Sequence, residues 1–134
     1  MTGIPSEALH LRTRNNQNRQ EVKFMAIDTI TNQYPELNTT VTLTTPFVGA
    51  CPHSGEPQEG STISVTYQPT DKLIELHAIE QYLAKLTRGS EALDLETVVQ
   101  LVAMACREAL GQPVEVRAVY KLRDRLEVVC SVQI

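Results

Sequence analysis

The residues best suited to chemistry stand in one short stretch, Cys51-Pro52-His53-Ser54-Gly55-Glu56-Pro57. A thiolate is a strong nucleophile when polar groups hold it in place. The two prolines fix φ at positions 52 and 57, and Gly55 leaves freedom between them. Ser54 and Glu56 complete a turn-forming composition. Such a loop presents a thiol at its entrance. The same composition also describes a tight strand-to-strand connection whose cysteine merely packs.

The rest of the chain bounds what that thiol can serve. The 134 residues suit a single domain. At 42% hydrophobic and 21% charged they can build a core, and with 4% aromatics and no Trp that core is aliphatic and β-branched. No apolar run approaches the ~20 residues of a membrane span. No basic region followed by an apolar one marks a secretory signal. Three cysteines at unrelated spacings do not make a disulfide framework, so a reducing, cytoplasmic setting is expected. The net charge of −4 argues against a dedicated nucleic-acid binder. Basic residues do cluster, as His10, Arg12, Arg14, Arg19 and Lys23, and again as Arg117, Lys121, Arg123 and Arg125. These are solvated faces or patches for a polyanion.

The elements that position the cysteine follow from periodicity. Residues 1–20 are polar and aperiodic and read as an arm, and residues 21–134 as one domain. Glu21–Asp28 reads as a first strand and Thr29–Asn38 as a connection. Thr39–Thr45 and Ser61–Tyr67 alternate with period two and form a hairpin-like pair with the cysteine loop at one end. Lys72–Glu75 leads into a helix over His77–Lys85. A second helix, N-capped by Asp94, runs to Leu110 and stops at Gly111. Val114–Leu122 and Leu126–Ile134 alternate again around a turn at Arg123-Asp124. Cys106 and Cys130 fall on apolar faces and read as core. The fold class is α+β, with two helices on one face of an antiparallel sheet. The sheet has two edges that nothing blunts, so edge-to-edge oligomers are expected.

The element order, with Thr45-Pro46-Phe47, the cysteine loop, Val65-Thr66-Tyr67-Gln68-Pro69 and Ile74-Glu75, resembles the 7-cyano-7-deazaguanine (preQ0) reductase family. The resemblance runs from about Tyr34 to the C-terminus. It implies a tunnelling fold in ββααββ order with an extra N-terminal strand. It also implies assembly into an oligomeric barrel, a ring pentamer or decamer with active sites at subunit interfaces.

By that resemblance Cys51 attacks the nitrile carbon of the base and forms a covalent thioimide. The family places an Asp after the second loop proline to supply protons. Here that position is Gln58, followed by Glu59. A one-residue insertion before Tyr67 would let Glu59 act from a shifted position, or leave it an exposed loop glutamate. Glu75 matches the substrate-contacting Glu, with Ile74, Leu76 and His77 beside it. Glu96 matches the Glu that reads the guanine-like edge, where one carboxylate accepts from a ring N–H and an amino group together.

The family's E-S-K-S-x-K motif for NADPH reads Glu75-Leu76-His77-Ala78-Ile79-Glu80 here. Both lysines are absent, and an acid at position 80 repels a phosphate. This pattern resembles the amidinotransferase branch, which needs no such cofactor and adds ammonia to the nitrile to give the formamidine of archaeosine. The expected reaction is therefore amidinotransfer without cofactor on the base, free or within tRNA or DNA. One alternative is NADPH-dependent reduction. Another is a zinc enzyme of the same fold using Cys51, His53 and His77, although no paired-histidine motif is present and no metal is expected. The last is a non-catalytic binding protein.

Overall fold

The computed structural model describes residues 26–51, 53–88 and 93–134. The polar arm over 1–20 and most of the strand expected at Glu21–Asp28 lie outside the described residues. Ala26–Asp28, which are described, are not extended in a sheet.

Four strands form the main antiparallel sheet, in the order β2 (Val41–Pro46), β3 (Thr62–Tyr67), β5 (Glu115–Lys121), β6 (Glu127–Gln133). Two three-residue strands, β1 (Thr29–Thr31) and β4 (Lys72–Ile74), pair separately. Helix α1 (Ala78–Leu86) and helix α2 (Leu95–Leu110) connect β4 to β5.

Alternation decides which face each strand buries. Ile63, Val65 and Tyr67 of β3 and Val116, Ala118 and Tyr120 of β5 are buried, because successive side chains point to opposite sides of the pleat. The register pairs Val65 with Val116 and Ile63 with Ala118. On these lie Val98, Val99, Val102 and Cys106 of α2 and Ile79, Leu83 and Leu86 of α1. Each buried Val, Ile or Leu removes enough apolar area from water to stabilise the fold by ~1.5–3 kcal/mol. The opposite sheet face is polar. Thr42 pairs its hydroxyl with that of Thr66 at 3.0 Å, and Thr44 with Ser64 at 2.9 Å.

Two expectations need correction. Among the described residues the strand ahead of the hairpin is Thr29–Thr31, inside the stretch read as a connection, because that segment pairs with β4. Residues 72–74 are a strand and not a helix lead-in, and α1 starts at Ala78 with His77 as its N-cap residue. Asp94 occupies the N-cap of α2 with extended φ/ψ, yet its side chain makes no capping hydrogen bond. The C-terminal end of α2 is as expected. Gly111 adopts φ 67° and donates its N–H to Arg107 O at 2.8 Å, a left-handed cap that glycine adopts without a Cβ penalty.

The β5–β6 turn has Asp124 and Arg125 at its centre, both with positive φ (59° and 63°). Leu126 N–H donates to Arg123 O at 3.2 Å and closes it. Two positive φ values match the right-handed twist of the flanking strands. Cys106 is fully buried, as expected, while Cys130 is only partly buried against the core edge.

Candidate active site

The cysteine loop leaves β2 at Pro46 and rejoins β3 at Thr62, so the first hairpin carries it at one end. Phe47 N–H donates to Ser61 O at 3.0 Å, and the Phe47 ring packs 6.1 Å from that of Tyr120. The loop then closes on itself. Gly49 N–H donates to Pro57 O at 2.8 Å, Cys51 N–H to Glu56 O at 2.9 Å, and Gly55 N–H to Cys51 O at 2.8 Å. Gly55 has φ +72°, which the reversal of direction at this point requires. Pro57 is buried beneath the loop.

Other groups of the folded loop act on the sulfur itself. The Ser54 hydroxyl, then the backbone N–H groups of Ser54 and His53, hold Cys51 below the ordinary thiol range, against partial burial and the negative charge of Glu56. Ser54 can do so because its Oγ already accepts from Glu56 N–H at 3.2 Å, leaving its own proton to donate. Hydrogen bonds to the charged form favour it. Cys51 is partly exposed, so the sulfur is reachable from solvent. Sequence reasoning assigned Ser54 to turn composition alone. The usable signal was a hydroxyl three residues after the cysteine.

Gln58 and Glu59 follow in a tight turn. Gln58 N–H donates to Lys121 O at 2.8 Å and its O accepts from Ser61 N–H at 3.2 Å. Both side chains are exposed. Gln58 thus fastens the loop to β5 through its backbone.

Glu96 lies at the same end of the molecule. It sits in the first turn of α2, beside Leu95, whose carbonyl accepts from Tyr120 OH at 2.8 Å. Burial foremost, with the Cys130 and Glu96 charges behind it, raises the Tyr120 phenol. Burial first and Glu96 second raise the Cys130 thiol. The Glu96 carboxylate is exposed, beside the Tyr120 ring that Phe47 packs against.

Glu75 lies elsewhere. It follows β4, beyond the far end of β3 from the loop, where Tyr67 accepts from Ile74 N–H. Five steps along β3 at ~3.3 Å each put roughly 17 Å of strand between its two ends. The Glu75 carboxylate accepts from His77 N–H at 3.1 Å, satisfying one of the free donors at the start of α1. Ile74 is buried, Leu76 is 73% exposed, and His77 and Glu80 face solvent. Within one chain, therefore, Cys51 and Glu96 share an end, and Glu75 with its neighbours does not join them. Among the described residues no three His, Cys, Asp or Glu side chains stand together as a metal-binding group, and His53 and His77 belong to different ends of β3. No described helix is long and apolar enough to cross a membrane.

The sequence is 36% identical over 100 residues to the NADPH-dependent 7-cyano-7-deazaguanine reductase of Thermoanaerobacter pseudethanolicus, an alignment that covers 69% of this chain and 74% of that protein. No family model matches the chain.

Proposed function

Because the chain belongs to the 7-cyano-7-deazaguanine reductase family, we propose that it acts on the nitrile of a 7-cyano-7-deazaguanine through a thioimide at Cys51, and that reduction to the aminomethyl base completes the reaction. The observation that carries this is the thiol itself, partly exposed and held below the ordinary range by Ser54 and two backbone N–H groups. The Cys51 sulfur adds to the nitrile carbon. A C–S bond forms, one C–N π pair moves to nitrogen, and nitrogen takes a proton. We assign that proton to Glu59, since a carboxyl group can give one and the Gln58 amide cannot. Glu96, at the same end, holds the ring N–H and amino group of the base.

The second reactant follows from the relative's name, which specifies NADPH. The start of α1 does not fit the phosphate of that cofactor. His77 and Glu80 are exposed where the family motif has lysines, and a carboxylate in the first turn opposes a phosphate. This segment therefore offers no seat for that phosphate. That misfit favours a second reading, in which ammonia adds to the thioimide carbon, thiolate leaves and a formamidine results.

Glu75 supports an assembly. It completes a site with Cys51 only if a second copy brings it there, and among the described residues β2 and β6 are the sheet edges through which copies can pair. We therefore propose that residues 21–134 form one tunnelling-fold domain and that the rings are built edge to edge, as pentamers or decamers.

Incubation with 7-cyano-7-deazaguanine, free and within tRNA or DNA, tests the reading by mass spectrometry. A covalent adduct of the base's mass, absent in Cys51→Ala, is expected. Absence of an adduct with every form of the base overturns it. Adding NADPH or ammonium to the adduct then separates aminomethyl from formamidine products.

A further inference from the structure

The basic cluster near the C-terminus is not used by the chemistry above, yet one of its members reaches the cysteine loop. Arg123 opens the β5–β6 turn, 69 residues from Ser54 in sequence. Its guanidinium donates to the Ser54 carbonyl. Its Nε lies 3.7 Å from Glu56 Oε1, and its own backbone N–H donates to Glu56 Oε2 at 3.4 Å. Ser54 and Glu56 are the residues that surround the thiol. Ser54 supplies a hydroxyl and an amide, and the Glu56 carbonyl accepts from Cys51 N–H.

We propose that Arg123 is a positioning residue for Cys51, reaching across from the β5–β6 turn to hold Ser54 and Glu56 around the sulfur and to offset the Glu56 charge. Two physical effects act together. The guanidinium donates to the Ser54 carbonyl while its Nε stands 3.7 Å from Glu56 Oε1, so one side chain both ties the loop backbone and sets a positive charge beside its carboxylate. The guanidinium also lies beside the one carboxylate that opposes a thiolate at this position. An exposed ion pair alone contributes little, so the charge effect is small and adds to the hold on Ser54.

The other charged groups around the loop do not substitute for it. His53 and Glu59 are exposed. Lys121 is engaged by Glu127. Asp124 and Arg125 occupy the positive-φ centre of the turn and are exposed.

The inference rests on Cys51 being the nucleophile, so its test reads the thiol without substrate. Iodoacetamide labelling of Cys51, resolved by peptide mapping, gives a rate against pH. In Arg123→Ala the midpoint is expected to rise by about half a pH unit, with the thermal midpoint of unfolding little changed. Arg123→Lys recovers part of the charge effect and not the fork, so its midpoint falls between. In a Glu56→Gln background the Arg123→Ala shift shrinks. An Arg123→Ala profile that overlays the wild type overturns the inference, as does a shift of equal size with and without Glu56. If Arg123→Ala does not fold, Arg123→Lys alone decides by the same profile. A shifted profile in a protein that forms no adduct with the base would reject the proposed reaction and leave the Arg123 role standing.

Discussion

The backbone N–H of Ile74 donates to the phenolic oxygen of Tyr67 at 2.8 Å, inside the core. The last residue of β3 thereby anchors the strand that leads directly to Glu75. Tyr67 is 3% exposed, so neither partner has water as a substitute. Tyr67→Phe leaves a buried donor unpaired and is expected to cost ~1–3 kcal/mol in urea unfolding. A loss below ~0.5 kcal/mol would mean the anchor is dispensable.

Opposite placement of Cys51 and Glu75 predicts complementation between chains. Cys51→Ala and Glu75→Ala are each expected to be inactive. Mixed after co-refolding, they regain activity where a Cys51 chain meets a Glu75 chain, up to roughly a quarter of wild type for random pairing of two copies. A mixture as inactive as its components would place the whole site within one chain.

Glu96→Gln tests recognition separately from chemistry. The amide keeps the shape but loses half of the acceptor pair that a ring N–H and amino group need. KM for the base is expected to rise by about tenfold or more, with iodoacetamide labelling of Cys51 unchanged. A drop in kcat at constant KM would assign Glu96 to the bond-making step instead.

Cys106 predicts a pH dependence of stability. Burial pushes its thiol from 9.0 up to about 12. Between those values the unfolded chain releases the proton and the native one keeps it. The unfolded state then binds fewer protons, and stability falls as pH rises above 9, by up to about 1.4 kcal/mol per unit. Tyr67 and Tyr82, also raised by burial, steepen the fall above pH 10. Urea midpoints at pH 8, 9 and 10 in Cys106→Ala should show a shallower decline. An equal decline would remove Cys106 as its cause.

The hairpins and α2 were legible because their periods are long and clean. Ile63, Val65 and Tyr67 alternate without interruption, and α2 ends at a glycine that turns left-handed. Strands β1 and β4 were not legible. Three residues carry no usable period, and each is a strand only because the other pairs with it. Cys51 announced itself through its loop composition. The Ser54 hydroxyl and the Arg123 fork did not, since the latter joins positions 69 apart that only the β5–β6 turn brings together. Nor could spacing reveal that Glu75 stands at the far end of β3, a consequence of strand direction alone.

The hydrogen bonds joining Cys51 to Gly55 and Glu56 close the loop before Pro57 is reached. Residues 58–60 lie outside that ring, tied down only by the backbone of Gln58. An insertion or exchange in those three positions therefore moves Glu59 and leaves Cys51 where it was. On the proposed reading, nucleophile and proton source are separable modules, and one can be exchanged by mutagenesis while the other keeps its place.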